Sequence, residues 1–187
     1  MGIPGLLMQI DCAGNTDAET IVRDELLAIL ERYDLEPWRV TDSVVIEEGA
    51  VPHSHPVLTL GTLNRGHFLL ASYVHEQLHW FLMNQMAQLE PVYENELLRM
   101  FPAAPQGLPE GAEDAESTYL HLFVCWYEVE ALRHLLGEQA GGQVVSALID
   151  HGVYRWVYRT IVERFDELGQ LYADAGIVSP LSSQRPE

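Results

Sequence analysis

The sequence predicts an α+β protein in which helices dominate. Three observations carry that expectation. Short stretches rich in β-branched and apolar residues are confined to the first 61 positions, and turn chemistry closes each one. From His67 onward the apolar residues recur at helical spacing. The longest such run, His67 to Leu89, holds no proline or glycine and is apolar on nearly every face, as a core helix is.

The elements follow in order. Leu6 to Ile10 is a candidate first strand, ended by Asp11-Cys12-Ala13-Gly14-Asn15. Thr16 or Asp17 caps a helix reaching about Tyr33, with Val22, Leu26, Ile29 and Leu30 on its inner stripe. Glu36-Pro37 breaks it. Trp38 to Glu48 reads as a strand on Val40, Val44, Val45 and Ile46. A polar turn with His53-Ser54-His55 leads to a strand at 57–60 and then to the long helix. Pro91 ends or kinks that helix, because proline cannot donate to the preceding turn. A short helix is expected from Val92 to Met100. Residues 101–116, rich in Pro, Ala, Gly and acid, read as a lid-like loop. Helices are then expected over Ser117–Leu136, Glu138–His151 (weakened by Gly141-Gly142) and Tyr154–Ala173. The expectation is one domain over 1–178 and a flexible tail over 179–187, with a few N-terminal strands packed on a helical bundle.

Composition narrows the function. The chain has 187 residues and a formal net charge of −18, and all ten of its cations are arginine. That charge argues against binding nucleic-acid backbones or anionic membranes. Two cysteines, Cys12 and Cys125, make no disulfide framework. No basic, apolar leader and no run of 18 apolar residues is visible, so a cytoplasmic protein is expected.

The informative segment is His75-Glu76-Gln77-Leu78-His79, which reads H-E-x-x-H inside the apolar helix. Histidines four apart leave the same helical face one turn from each other, so their imidazoles can converge on one ion. Glu76 points about 100° further round, within reach of a water on that ion. Composition alone yields such a match at a frequency of roughly 3%. The core-helix setting adds weight, since two histidines and a glutamate there are costly without a compensating partner. The competing reading is a hydrogen-bonded pair of core histidines beside a surface glutamate.

Catalytic zinc takes three protein ligands and keeps a position for water. A further donor is sought in the next apolar helix, where His121, Cys125 and Glu128 fall at i, i+4 and i+7 on one face. Glu130 projects some 200° away and is expected to face solvent. Both Glu128 and His121 stand as third-ligand candidates, and Cys125 reads as a small buried hydrophobe.

With these residues the chain resembles the gluzincins, zinc metallopeptidases of the zincin group whose third ligand is a glutamate on a later helix. The resemblance covers His75, Glu76, His79 and Glu128, within 57–136. It implies a zincin-like domain that binds Zn2+ through His75, His79 and Glu128, with Glu76 as general base and a peptide or protein as substrate. The longer metzincin motif is absent, since Leu82 and Gln85 stand where Gly and His are required. The Asp often found four residues after the third ligand is replaced by Leu132. His121, Tyr154 and Tyr158 are candidate donors to the oxyanion of the transition state. For the tyrosines the competing reading is an amphipathic helix face. His53-Ser54-His55 reads as a plain turn or as a substrate-side element, given that an edge strand beside a zincin motif helix pairs with extended peptide. The alternative to an enzyme is an inactive zincin-like domain that serves as a binding or regulatory module.

Overall fold

The computed structural model describes residues 8–182. It is helix-dominated, 61% helical, with one small parallel sheet, in keeping with the α+β expectation. The chain divides into two compact units, the first ending at Phe81 and the second beginning at Leu82.

The first unit opens with strand β1, Gln9–Cys12. The expected strand started three residues earlier, and its first two positions lie outside the described residues. Helix α1, Asp17–Arg32, begins with a reciprocal cap. The Thr16 hydroxyl accepts from the Glu19 amide, while the Glu19 carboxylate accepts from the Thr16 amide at 3.1 Å. That carboxylate also accepts from Gly14 N at 2.9 Å and from Glu48 N at 3.0 Å. Backbone amides, led by that of Glu48, hold its pKa below the usual carboxylate value.

Strand β2, Ser43–Glu47, is shorter than the expected 38–48 strand, because Glu36–Trp38 form a 3₁₀ turn instead. Pro37 supplies the fixed φ that such a turn accepts. Strand β3, Leu58–Gly61, completes a parallel sheet of order β1-β2-β3, in which Val44 faces Leu58 and Ile46 faces Leu60. The α1 residues Val22, Leu26 and Ile29 and the sheet residues Val44, Ile46, Leu58 and Leu60 are buried. Gly61 is required where it stands, since a Cβ there would meet the Ala50 carbonyl oxygen at 2.1 Å.

Helix α2, His67–Met83, carries the motif. It stops six residues short of the expected end. A turn at 84–85 then leads into α3, Met86–Val92. Pro91 lies inside α3 rather than ending it. A π turn, Tyr93–Leu97, follows, and then the short α4, Leu98–Met100.

The rest of the second unit is helical: α5, Ala115–Leu136; α6, Glu138–His151; α7, Arg155–Glu163; and α8, Phe165–Asp174. The single helix expected over 154–173 is thus two, separated at Arg164, whose φ of −129° leaves the helical region. Gly141-Gly142 do not interrupt α6. Gly141 lets α6 approach α5 closely, since a Cβ there would sit 2.7 Å from the Leu132 carbonyl oxygen.

The segment before α5, expected as a lid, is held by hydrogen bonds within its own unit. Thr118 Oγ1 donates toward Pro105 O and accepts from Ala112 N at 2.8 Å. Tyr119 OH donates to Phe101 O at 2.5 Å. The carbonyls of Pro109 and Glu110 accept from the first amides of α7, at 2.8 and 3.1 Å. No helix among the described residues is long and apolar enough to cross a membrane.

Candidate functional site

In the first unit, one turn of α2 brings His75 and His79 together. Their Nε2 atoms are 3.3 Å apart and their ring centroids 5.0 Å apart. A tetrahedral zinc with Zn–N bonds of about 2.0–2.1 Å separates two nitrogen ligands by about 3.3–3.4 Å. The pair therefore has the spacing of two ligands on one ion. The same spacing lets one imidazole donate to the other. His75 and Glu76 are buried, and His79 is half-buried.

The residue between Glu76 and Leu78 fixes this turn. Gln77 is fully buried, and all its polar capacity is used. Its Oε1 accepts from Val40 N and Thr41 N, both at 2.9 Å. Its Nε2 donates to Thr41 O at 2.9 Å and to Tyr73 OH at 3.1 Å. The chain entering β2 is thereby bolted to the motif helix. Reading Gln77 as a spacer in H-E-x-x-H missed this role. The signal was available, because an amide at a fully apolar helix position needs partners.

The 53–57 turn is fastened to the same helix. Trp80 Nε1 donates to Ser54 O at 2.8 Å, and His55 stacks on the Trp80 ring at 4.0 Å. His53 exchanges two backbone hydrogen bonds with Thr59, at 3.0 and 2.8 Å, on strand β3.

In the second unit, His121, Cys125 and Glu128 are all buried on α5. His121 Nδ1 lies 2.6 Å from Ser117 O. A carbonyl only accepts, so Nδ1 carries the proton and Nε2 the lone pair, as a metal-binding imidazole requires. Tyr154 lies over the His121 ring at a centroid distance of 4.0 Å. Tyr154 has φ of 58° and ψ of 36°, a left-handed conformation in which a bulky residue is strained. Tyr158, one turn on, donates from its hydroxyl to Glu128 Oε2 at 2.7 Å. Burial, reinforced by Cys125 and Glu128, pushes the Tyr158 phenol well above its ordinary pKa, so it remains a donor.

The two tyrosines therefore serve different α5 residues: Tyr154 covers His121, and Tyr158 holds Glu128. The pairing of Tyr158 with Glu128 was not read from the sequence, where 30 residues separate them. Glu130 does not simply face solvent. It is half-buried, accepts from Ser179 Oγ at 2.7 Å, and has its pKa raised by burial.

Each unit, taken by itself, carries side chains of the types that bind a divalent cation of zinc type: paired imidazoles in the first, and imidazole, thiol and carboxylate in the second. Comparison with known proteins returns nothing, as no family model, no curated protein and no solved structure matches the chain.

Proposed function

We propose that this chain is a zincin-like, zinc-dependent hydrolase of peptide or amide bonds. The observation that carries the proposal is the His75–His79 pair, with Nε2 atoms 3.3 Å apart on a largely buried turn that also holds Glu76. By the gluzincin resemblance a further ligand would come from α5, with Glu128 and His121 as its candidates. The gluzincin resemblance favours Glu128, and the hydrogen bond from Tyr158 orients that carboxylate as ligating carboxylates are oriented.

Zinc, when bound, supplies a water acidified to near neutrality and an electrophile for a carbonyl oxygen. The chain's residues do the rest. Glu76 accepts the proton of the attacking water and returns it to the leaving amine nitrogen. Gln77 keeps the turn that carries Glu76 in register. Tyr154 is the group proposed to donate to the developing oxyanion; His121 would serve there only as an imidazolium, protonated on Nε2 as well, and only if Glu128 is the ligand.

Metal content tests the proposal directly. Purified protein is expected to hold about one zinc per chain, and the His75→Ala/His79→Ala double variant is expected to hold none. Retention of zinc by a folded double variant overturns the metal centre. Glu76→Gln is expected to keep the metal and to lose about 10²–10⁴-fold in hydrolysis of a casein or peptide-library substrate. If the wild type binds zinc but cleaves no member of such a library, the binding-module alternative takes its place.

A further inference from the structure

The second unit has a groove that His121, Cys125 and Glu128 do not line. It lies between α3 with its π turn and the first half of α5, and its volume is about 580 Å3. Pockets of about 300–1,000 Å3 are the size that holds a drug-sized ligand or a few side chains. Leu120 and Phe123 contribute from α5, on a side of that helix that His121, Cys125 and Glu128 do not share. Met86 and Leu89 face them from α3, completing an apolar floor.

The rim is acidic on both sides. Glu90 and Glu94 line one wall and Glu116 the other. The described arginines of this unit are engaged elsewhere: Arg99 with Glu96, Arg133 with Glu138, Arg155 with the Gly152 carbonyl, Arg159 with Glu110 and Arg164 with Glu167. Among the described residues no cation answers these three carboxylates. Like charges brought around an apolar cleft repel one another and favour a cationic occupant.

We infer that this groove docks a linear peptide segment of a partner protein, with an apolar side chain on the floor and Arg or Lys on both flanks. The occupant follows from the lining. Carboxylates on opposite walls match cations on both sides of a central residue, and the apolar floor matches that residue. The formal charge of −18 adds attraction at long range. Docking here does not depend on a metal at α2.

Fluorescence anisotropy tests the inference with three labelled peptides: alternating Arg and Leu, alternating Arg and Ser, and alternating Glu and Leu. The Arg–Leu peptide is expected to bind, the Arg–Ser peptide to bind at least about tenfold more weakly, and the Glu–Leu peptide not to bind. Glu90→Gln/Glu94→Gln/Glu116→Gln is expected to weaken Arg–Leu binding about tenfold or more. The control variant Glu47→Gln/Asp150→Asn/Glu163→Gln removes the same charge from exposed positions outside the groove and is expected to leave binding within about twofold. Met86→Ser, at a position already 43% exposed, is expected to weaken binding without unfolding the chain. Equal losses in the two triple variants mean diffuse electrostatic attraction and overturn the groove. Equal affinity for the Arg–Leu and Arg–Ser peptides overturns the apolar floor.

Discussion

Helix α2 of the first unit and helix α5 of the second both bury polar side chains, and the histidine pair of one and the Glu128 carboxylate of the other are met over different distances along the chain. On α2 the histidine pair meets within four residues. On α5 the carboxylate of Glu128 is met by a phenol 30 residues on, from α7. The His75–His79 spacing follows from helical geometry alone, whereas the Tyr158–Glu128 hydrogen bond exists only once α7 has docked against α5. A local motif is therefore a reliable pointer to donors on one helix and a poor pointer to those supplied by another.

The largest expected effect tests the proposal that an α5 residue is the third zinc ligand. Apparent binding free energies of about 10–16 kcal/mol for four-ligand zinc sites put one ligand at roughly 3–4 kcal/mol, a loss of about a hundred- to a thousandfold in affinity. Glu128→Ala is expected to show that loss, and His121→Ala a much smaller one, in competition with a chromophoric chelator. The reverse order makes His121 the ligand and leaves Glu128 and Tyr158 as a structural pair. Two negligible losses remove α5 from the centre.

The same contrast explains how much the sequence disclosed. The helix-dominated class and the positions of α1, α5 and α6 follow from periodicity and caps. His75, Glu76 and His79 follow from spacing, and the stripe of His121, Cys125 and Glu128 from burial of polar residues on an apolar helix. The elements misplaced were those decided by tertiary contacts or by a single bond geometry. Pro91 lies inside α3 and a π turn follows it, α7 and α8 part at Arg164, and α6 tolerates two glycines because one permits close approach to α5. Gln77, Tyr154 and Tyr158 take their roles from partners that no local pattern names.

A smaller effect is expected at Gln77, where one side chain satisfies three backbone groups of the connection to β2. Gln77→Leu keeps the volume but leaves those groups without their partner, at a cost of about 2–4 kcal/mol. Urea unfolding of the full chain measures it. Gln77→Glu, which retains the acceptor but sets a carboxylate against Thr41 O, is expected to be destabilising as well. A cost below about 1 kcal/mol for Gln77→Leu means that water replaces the amide and that α2 is positioned by apolar packing instead.

The smallest effect separates two carboxylates, one in each unit, by the sign of their pH dependence. Glu19 is held below its ordinary value of 4.5, first by the Glu48 amide and then by those of Thr16 and Gly14. Its contribution is therefore complete above that value and is lost as pH falls through the lowered pKa. Glu130 is shifted the other way, because burial outweighs the hydrogen bond from Ser179. Its charge is a burden at neutral pH that protonation relieves as pH falls through the raised pKa. Glu19→Gln is thus expected to lower the unfolding temperature most near pH 7, with a difference from wild type that shrinks toward about pH 3. Glu130→Gln keeps a polar group near Ser179 without the charge. Relative to wild type it is expected to gain stability near neutrality and to lose that advantage in acid. Parallel pH profiles for the two variants contradict this pair of assignments, and a Glu19→Gln difference that grows in acid contradicts the cap as the source of the lowered pKa.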